Sequence, residues 1–376
     1  MSRVLVTGGA GAIGAAIARR LLADPRYDVR IADRRPAPLW MREGCEIRDG
    51  DLRVAAQALA ATKGCSLVVH LAAHVAPVEA ADAAPYALIA HENATHGSVV
   101  GAAVEQGVER LLYVSSAAVL DGAQRLPTPE SDLDGCPAPR SARAFARLSG
   151  ERYCRAAREQ HGLAVTICRP SAVYGTTLAT RGGEPSVAPE AGEPGVEPLV
   201  VELLTAAIAG KRAFELAGST ERTLTPTHVD DVAEGVVLAL ASQAALGEDF
   251  NLAGQRELTV TELAGLAREA AGAPARVLAL RRSARADASD DAPVQRSWPS
   301  AQKARELLGW QSRIGVEEGI ADTVRWLREL RAARGAGAAA KGTARGAKAR
   351  KTSSQNGHAR SAGAERTVGR RAGDGR

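Results

Sequence analysis

The chain has 376 residues, enough for one large domain or two modest ones, and only 3% are aromatic, so the core must be built from Ala, Val and Leu. The formal charge of +5 hides two regions: eleven Lys/Arg against two Asp/Glu put +9 between Arg334 and Arg376, and the other 333 residues carry −4. No apolar run reaches membrane-spanning length, and five scattered cysteines without C-x-x-C or metal-ligand spacing argue against a disulfide framework or a metal centre and fit a reducing cytoplasm.

Met1–Val6 is a short apolar run with β-branched members and reads as a strand. Gly8, Gly11 and Gly14 follow at steps of three, and Ala15–Leu22 reads as a helix. A strand that turns through glycines into a helix N-terminus makes an anion site, because free backbone N–H groups and the positive helix end face the ligand. One glycine allows the tight turn, one lets the backbone approach a pyrophosphate, and one lets helix pack on strand. Val29–Asp33 reads as the second strand and ends in a carboxylate about 20 residues beyond the last glycine, where an acid accepts hydrogen bonds from an adenosine ribose. These features predict a dinucleotide site built on Gly8, Gly11, Ala12, Ile13, Gly14, Asp33 and Arg34. Asp33 repels a 2′-phosphate and so selects NAD; Arg34 and Arg35 offset that repulsion and leave NADP use open. Ser2 and Arg3 lead directly into the first strand, so no cleaved leader is expected.

Strand-like runs continue at Glu46–Arg48, Leu67–His70, Arg110–Val114 and Val165–Cys168. Helical stretches alternate with them at Val54–Thr62, Ala94–Gln106 and Arg140–Glu159. This alternation predicts an α/β fold with a doubly wound parallel sheet and a ligand at the carboxyl ends of the strands. Thr176–Pro198 is rich in Gly, Pro and Glu and reads as a loop. Leu199–Ile208 reads as a helix, and Thr227–Leu240 holds a short strand followed by another. Phe250–Leu252 reads as a strand, Thr261–Ala271 as a helix, and Arg281–Arg296 as a polar loop. Ser300–Leu308 and Val316–Leu330 read as helices. The expected organisation is a dinucleotide-binding domain over 1–175, a smaller α/β substrate lobe over 176–333 with some segments returning to the first core, and a disordered basic tail over 334–376. Such a tail could bind nucleic acid or an anionic surface without sequence preference.

Further motifs stand in order: Gly50-Asp51-Leu52-Arg53, His70-Leu71-Ala72-Ala73, Asn93, Val114-Ser115-Ser116, Arg169-Pro170 with Val173-Tyr174-Gly175, His228-Val229-Asp230-Asp231, Phe250-Asn251-Leu252 and Leu307-Leu308-Gly309-Trp310. As a set they resemble the extended short-chain dehydrogenase/reductase family, in its NAD-dependent sugar epimerase/dehydratase branch, over about Ser2–Leu330. The resemblance implies a Rossmann fold, an oxidoreductase, epimerase or dehydratase acting through NAD on a nucleotide-sugar or related polyol, a cytoplasmic location and a homodimer. It implies that Asp51 and Leu52 hold the adenine, that Leu71, Ala72 and Ala73 line the dinucleotide, that Asn93 sits near the cofactor, and that Ser116 hydrogen-bonds the reacting substrate oxygen.

The family's acid is a Tyr with a Lys four residues later on one helix face. The segment here reads Arg143-Ala-Phe-Ala-Arg147-Leu-Ser-Gly-Glu151, and its L-x-G-E ending sets the register: Arg143 stands at the Tyr position and Arg147 at the Lys position. Residues Ile31, Ala90, Ala117, Ala157 and Leu178 follow the five tyrosines at that spacing, so the chain contains no YxxxK. Arg147 keeps a cation and donors for ribose hydroxyls; Arg143 stays protonated and cannot exchange a proton as Tyr does. Val119-Leu120-Asp121 likewise stands where the family usually has Val-Tyr-Gly. His74 follows Ala73 closely and is a candidate for proton transfer or substrate contact. Arg222 is a candidate partner of a substrate phosphate. Two functions follow: an atypical NAD-dependent enzyme, or a non-catalytic dinucleotide-binding sensor or complex subunit.

Overall fold

The computed structural model describes residues 1–73, 83–176, 197–216, 219–274, 279–282 and 295–332. Six strands come first: β1 (Ser2–Thr7), β2 (Tyr27–Asp33), β3 (Glu46–Asp49), β4 (Leu67–His70), β5 (Arg110–Val114) and β6 (Val165–Pro170). The short strands β7 (Val173–Tyr174), β8 (Ala213–Leu216), β9 (Thr223–Leu224) and β10 (Thr227–His228) follow, then β11 (Asp249–Leu252), β12 (Leu258–Thr259) and β13 (Ala279–Arg282). Seven of these form one sheet in the order β11-β6-β5-β4-β1-β2-β3, with every neighbouring pair parallel. The chain runs outward from β1 to β3, crosses back to β4 and proceeds to β6. The switch point therefore lies between β1 and β4, where ligands of such sheets bind.

Among the described residues the helices are α1 (Ala12–Leu22), α2 (Leu39–Gly44), α3 (Ala55–Thr62), α4 (Pro85–Glu105), α5 (Ala142–His161), α6 (Pro198–Ile208), α7 (Val229–Ala241), α8 (Val260–Ala270), α9 (Gln302–Leu308) and α10 (316–332). Strand side chains alternate between faces, and β1 divides accordingly. Val4 and Val6 enter a core with Ile13, Ile17 and Leu21 of α1 and Val232 and Val236 of α7. Leu5 enters the opposite core with Ala58 of α3, Val99 of α4 and Cys154 of α5. Both sheet faces are covered, which explains why the central strands read as continuous apolar runs.

α5 is defined at both ends. Ser141 accepts a hydrogen bond from the Ala144 amide at 3.1 Å, and Gly162 closes the helix at φ 71°. Its first turns carry Arg143 and Arg147. α4 begins at Pro85, earlier than the apolar pattern from Ala94 indicates, because Pro at the first helical turn needs no N–H partner. Most of the segment read as the Thr176–Pro198 loop lies outside the described residues; Pro198 itself opens α6. Arg281 and Arg282, read as loop, pair in β13 with Glu215 and Leu216 of β8. A four-residue polar strand gives no alternation to recognise. Residues Met1–Arg328 form one compact unit, and Glu329–Arg376 a second, of which the described residues 329–332 are helical.

Candidate functional site

The glycine turn sets the floor of the site. Gly8 takes φ 70°, and a Cβ on it would lie 2.9 Å from the Ala72 backbone. A Cβ on Gly14 would lie 2.5 Å from the Gly8 carbonyl oxygen and 2.6 Å from Gly9 Cα. Gly11 is the N-cap of α1, offers no capping side chain, and is followed by no acid in the first turn. The positive helix end is thus left to an external anion. Arg35 adds a cation: its Nη2 lies 2.7 Å from where a Gly11 Cβ would stand.

A cavity of about 610 Å³ opens over this turn. Gly8, Gly11, Ile13 and Gly14 line one wall, with Asp33, Arg34, Asp51 and Leu52 beside them. Ala12 is buried in the first turn of α1 behind that lining. Asp33 accepts from the Ala10 amide at 3.0 Å and from the Arg35 amide at 2.9 Å, so the acid also braces the glycine turn. Asp51 accepts from Arg53 Nε at 3.0 and 2.9 Å; that pairing holds its carboxyl down at about 2.

Leu71, Ala72 and Ala73 leave the end of β4 and line the cavity beside the glycine turn. Thr7 fixes them, its hydroxyl accepting from the Leu71 and Ala72 amides at 3.2 and 3.1 Å. At the end of β5, Ser116 lines the cavity and its Oγ accepts from the Ala118 amide at 3.2 Å. Neighbouring Ser115 also reaches the lining but spends its hydroxyl on Glu151 at 2.7 Å. Arg143 and Arg147 project from α5 into the same cavity. Arg147 faces Glu92 of α4 at 4.0 Å. Burial opposes the Arg147 charge, but Glu92 and Tyr113 outweigh it and raise the guanidinium further above its ordinary range.

The far end is lined by Glu197, Pro198, Glu202, Phe214, Leu216 and Arg222. Burial pushes the Glu197 carboxyl up, against the pull of Arg222 and Arg143. Arg222 Nε is buried without a hydrogen-bond acceptor among the described residues.

Of the residues singled out from the sequence, the fold brings together the glycine turn, Asp33, Arg34, Asp51, Leu52, Leu71–Ala73, Ser116, Arg143, Arg147 and Arg222. Asn93 is not part of the lining: its Oδ1 accepts from Ser149 Oγ at 2.7 Å, between α4 and α5. One residue is about 100° of helix rotation, so Glu92 and Thr95 face the cavity instead. His74 lies outside the described residues. His228 is the N-cap of α7 and accepts from the Asp230 amide at 3.2 Å. Glu92, Glu197 and Glu202 also line the cavity and belong to none of the sequence motifs. For Glu92 the signal was adjacency to Asn93; for the other two nothing local distinguishes them from surface acids.

The chemistry of these donors fits a dinucleotide. The glycine turn leaves space that a single Cβ would close, Arg35 supplies a cation there, and the Asp33 carboxylate lines the cavity beside them. Among the described residues no group of His, Cys, Asp and Glu could hold a metal ion, and no helix is long and apolar enough to cross a membrane.

Residues 4–253 match the model of the NAD dependent epimerase/dehydratase family. The chain is 30% identical over 342 residues to the UDP-glucose 4-epimerase of Mycolicibacterium smegmatis, covering 87% of this chain and 98% of that one. It is 29% identical over 328 residues to a putative GDP-L-fucose synthase 2 of Oryza sativa subsp. japonica, covering 86% of each. Among solved structures it is similar to DesIV, a dTDP-glucose 4,6-dehydratase from Streptomyces venezuelae with NAD and TYD bound, at TM-score 0.73 and 26% identity over 88% of this chain and 98% of that one. The Thermus thermophilus UDP-glucose 4-epimerase in complex with NAD matches at TM-score 0.71 and 26% identity, covering 87% and 99%.

Proposed function

The chain belongs to the NAD-dependent epimerase/dehydratase family, and from that premise we propose that it transforms a nucleotide-sugar by hydride transfer in a site where Arg143 and Arg147 replace the usual acid and its lysine. The observation that carries this reading is the single cavity shared by the glycine turn, Ser116, Arg143, Arg147 and Arg222.

NAD, when bound, supplies the hydride acceptor. Gly8–Gly14 and Arg35 would hold its pyrophosphate, Asp33 its adenosine ribose, and Arg147 its nicotinamide ribose. Ser116 can hydrogen-bond the reacting oxygen. Arg143 cannot give or take a proton at working pH, so it acts as a fixed cation that stabilises negative charge on that oxygen or on a substrate anion. The buried Arg222 Nε supports a phosphate of the nucleotide as its partner. Residues 197–224 at the far end support the reading of 176–333 as the lobe that receives the sugar. Cytoplasmic location is in keeping with five cysteines that form no disulfide. A homodimer is in keeping with Tyr86 on α4 and Phe145 and Tyr153 on α5, all exposed; a monomer by light scattering would exclude it. The basic tail over 334–376 lies outside the described residues.

The test is incubation of the purified protein with NAD or NADH and a panel of UDP-, GDP- and dTDP-sugars, following nicotinamide absorbance and sugar products. Turnover is expected, and Arg143→Tyr/Arg147→Lys should raise it about a hundredfold, the scale of general acid–base catalysis. Tight NAD binding with no turnover in either protein would favour the second reading, a dinucleotide-binding sensor or subunit, which the loss of Tyr at Arg143 also motivates.

A further inference from the structure

Behind Arg147 lies a row of buried polar groups that the proposed chemistry does not use. Thr7, His70, His96 and Tyr113 are fully buried, and Glu92 is 4% exposed. Thr7 Oγ1 lies 2.8 Å from His70 Nδ1, His70 Nε2 lies 3.0 Å from His96 Nδ1, and His96 Nε2 lies 3.6 Å from Glu92 Oε2. Glu92 in turn lines the cavity and faces Arg147 Nη1 at 4.0 Å.

The direction of this row follows from its first member. The Thr7 hydroxyl accepts from the Ala72 amide at 3.1 Å and shares the Leu71 amide with the Thr7 carbonyl, each at 3.2 Å. With those acceptor positions engaged, its own proton is directed to His70 Nδ1. His70 therefore carries its proton on Nε2 and donates to His96 Nδ1, and His96 carries its own on Nε2. That N–H faces Glu92 and, at 3.5 Å, the Tyr113 hydroxyl, which donates onward to the Arg147 carbonyl at 3.4 Å. Burial, with the charge of Arg147, holds His70 well below the ordinary histidine range, so the ring is neutral. A second proton on His96 Nδ1 would oppose the His70 N–H. The row thus turns an N–H toward Glu92 at 3.6 Å, a polarity that favours negative charge on that carboxyl.

We propose that Glu92 is the counter-charge of Arg147 and sets how strongly the site prefers reduced over oxidised dinucleotide, with Thr7, His70 and His96 as the row that holds it in place. The inference rests on the reading that Arg147 stands at the nicotinamide ribose. Oxidised nicotinamide is cationic and reduced nicotinamide is neutral. Arg143 and Arg147 disfavour the oxidised ring; an ionised Glu92 against Arg147 cancels one of those two charges. Glu92 is thus a positioning and charge-setting residue and takes no part in bond making.

The test is the dissociation constant of NAD⁺ and of NADH, measured separately by calorimetry and by NADH fluorescence. Glu92→Gln should weaken NAD⁺ about tenfold while NADH changes less than about threefold, the scale of one unit charge at part-screened range. Glu92→Gln/Arg147→Met should return the NAD⁺/NADH ratio to the wild-type value. Equal weakening of both dinucleotides by Glu92→Gln, or a ratio that stays shifted in the double variant, would overturn the proposal and leave the broader function intact. Binding of neither dinucleotide by the wild type would overturn both. A measurement on the unaltered protein stands beside these: ring ¹⁵N shifts of histidine-labelled protein should show His70 and His96 neutral with the proton on Nε2. An Nδ1–H form or an imidazolium at either ring would contradict the row.

Discussion

Glu151 and Arg169 form a bidentate ion pair, Nε to Oε1 and Nη2 to Oε2 both at 2.8 Å, with neither side chain exposed. The pair ties α5 to β6. Ser115 at the end of β5 donates to the same carboxylate, and Arg169 also reaches Asp249 of β11 at 2.6 Å. The ends of β5 and β6 and the helix that carries Arg143 and Arg147 thus meet at one carboxylate, and β11 joins them through Arg169, so the pair fixes where those arginines stand relative to Ser116.

A buried charge left without its partner is costly. Glu151→Gln leaves Arg169 with Asp249 as its remaining carboxylate and should lower unfolding free energy by about 1.5–3 kcal/mol in urea titrations. A loss below about 1 kcal/mol would show that the pair is not the junction described here.

Gly14 and Gly64 separate packing from backbone strain. Gly14→Ala drives a Cβ into the Gly8 carbonyl oxygen and Gly9 backbone, so the turn must open. We expect NAD affinity to fall at least tenfold, roughly 1.4 kcal/mol. Gly64 has φ 72° and nothing within 4 Å; Gly64→Ala should cost about 1 kcal/mol of stability and leave NAD affinity alone. Calorimetric binding beside thermal unfolding of both variants checks this.

Asp33 braces the turn through the Ala10 amide and, in the proposed function, would also hold the adenosine ribose. Asp33→Ser removes a charge-assisted bond worth about 1.5–3 kcal/mol, so NAD should weaken at least about tenfold. NADP should weaken less or tighten, because the repulsion of a 2′-phosphate disappears while Arg34 and Arg35 remain. Equal loss for both dinucleotides would mean that Asp33 serves only the turn.

Asp121 supplies a pH test. Burial, reinforced by Glu197, raises its carboxyl to about 6. The folded chain then holds this proton at pH values where the unfolded chain has released it. The resulting stabilisation is complete below the unfolded value near 4 and disappears as pH rises through about 6. Asp121→Asn should match the wild type in Tm near pH 4 and exceed it by a few degrees at pH 7.5. A gap independent of pH would contradict this.

The glycine turn, the carboxylate at Asp33 and the register of α5 were legible in the sequence because each is local. Glycine spacing, strand alternation and the L-x-G-E ending act over a few residues of one segment. The outward face of α4 was not legible. Apolar periodicity around Asn93 gives the helix, but small residues such as Ala94 and Gly97 leave its rotation on the sheet unmarked. Packing against α5 turned Asn93 to Ser149 and Glu92 to the cavity.

The sequence by itself determined the parallel α/β architecture, the dinucleotide cradle and the replacement of Tyr and Lys by Arg143 and Arg147. Only the tertiary structure decided what those arginines face. Glu92 stands 55 residues from Arg147, His70 stands 63 from Thr7, and Arg169 stands 18 from Glu151. Such partners meet because sheet order stacks distant strand ends side by side. Their burial among neighbours, and not any local propensity, fixes which charges are paired.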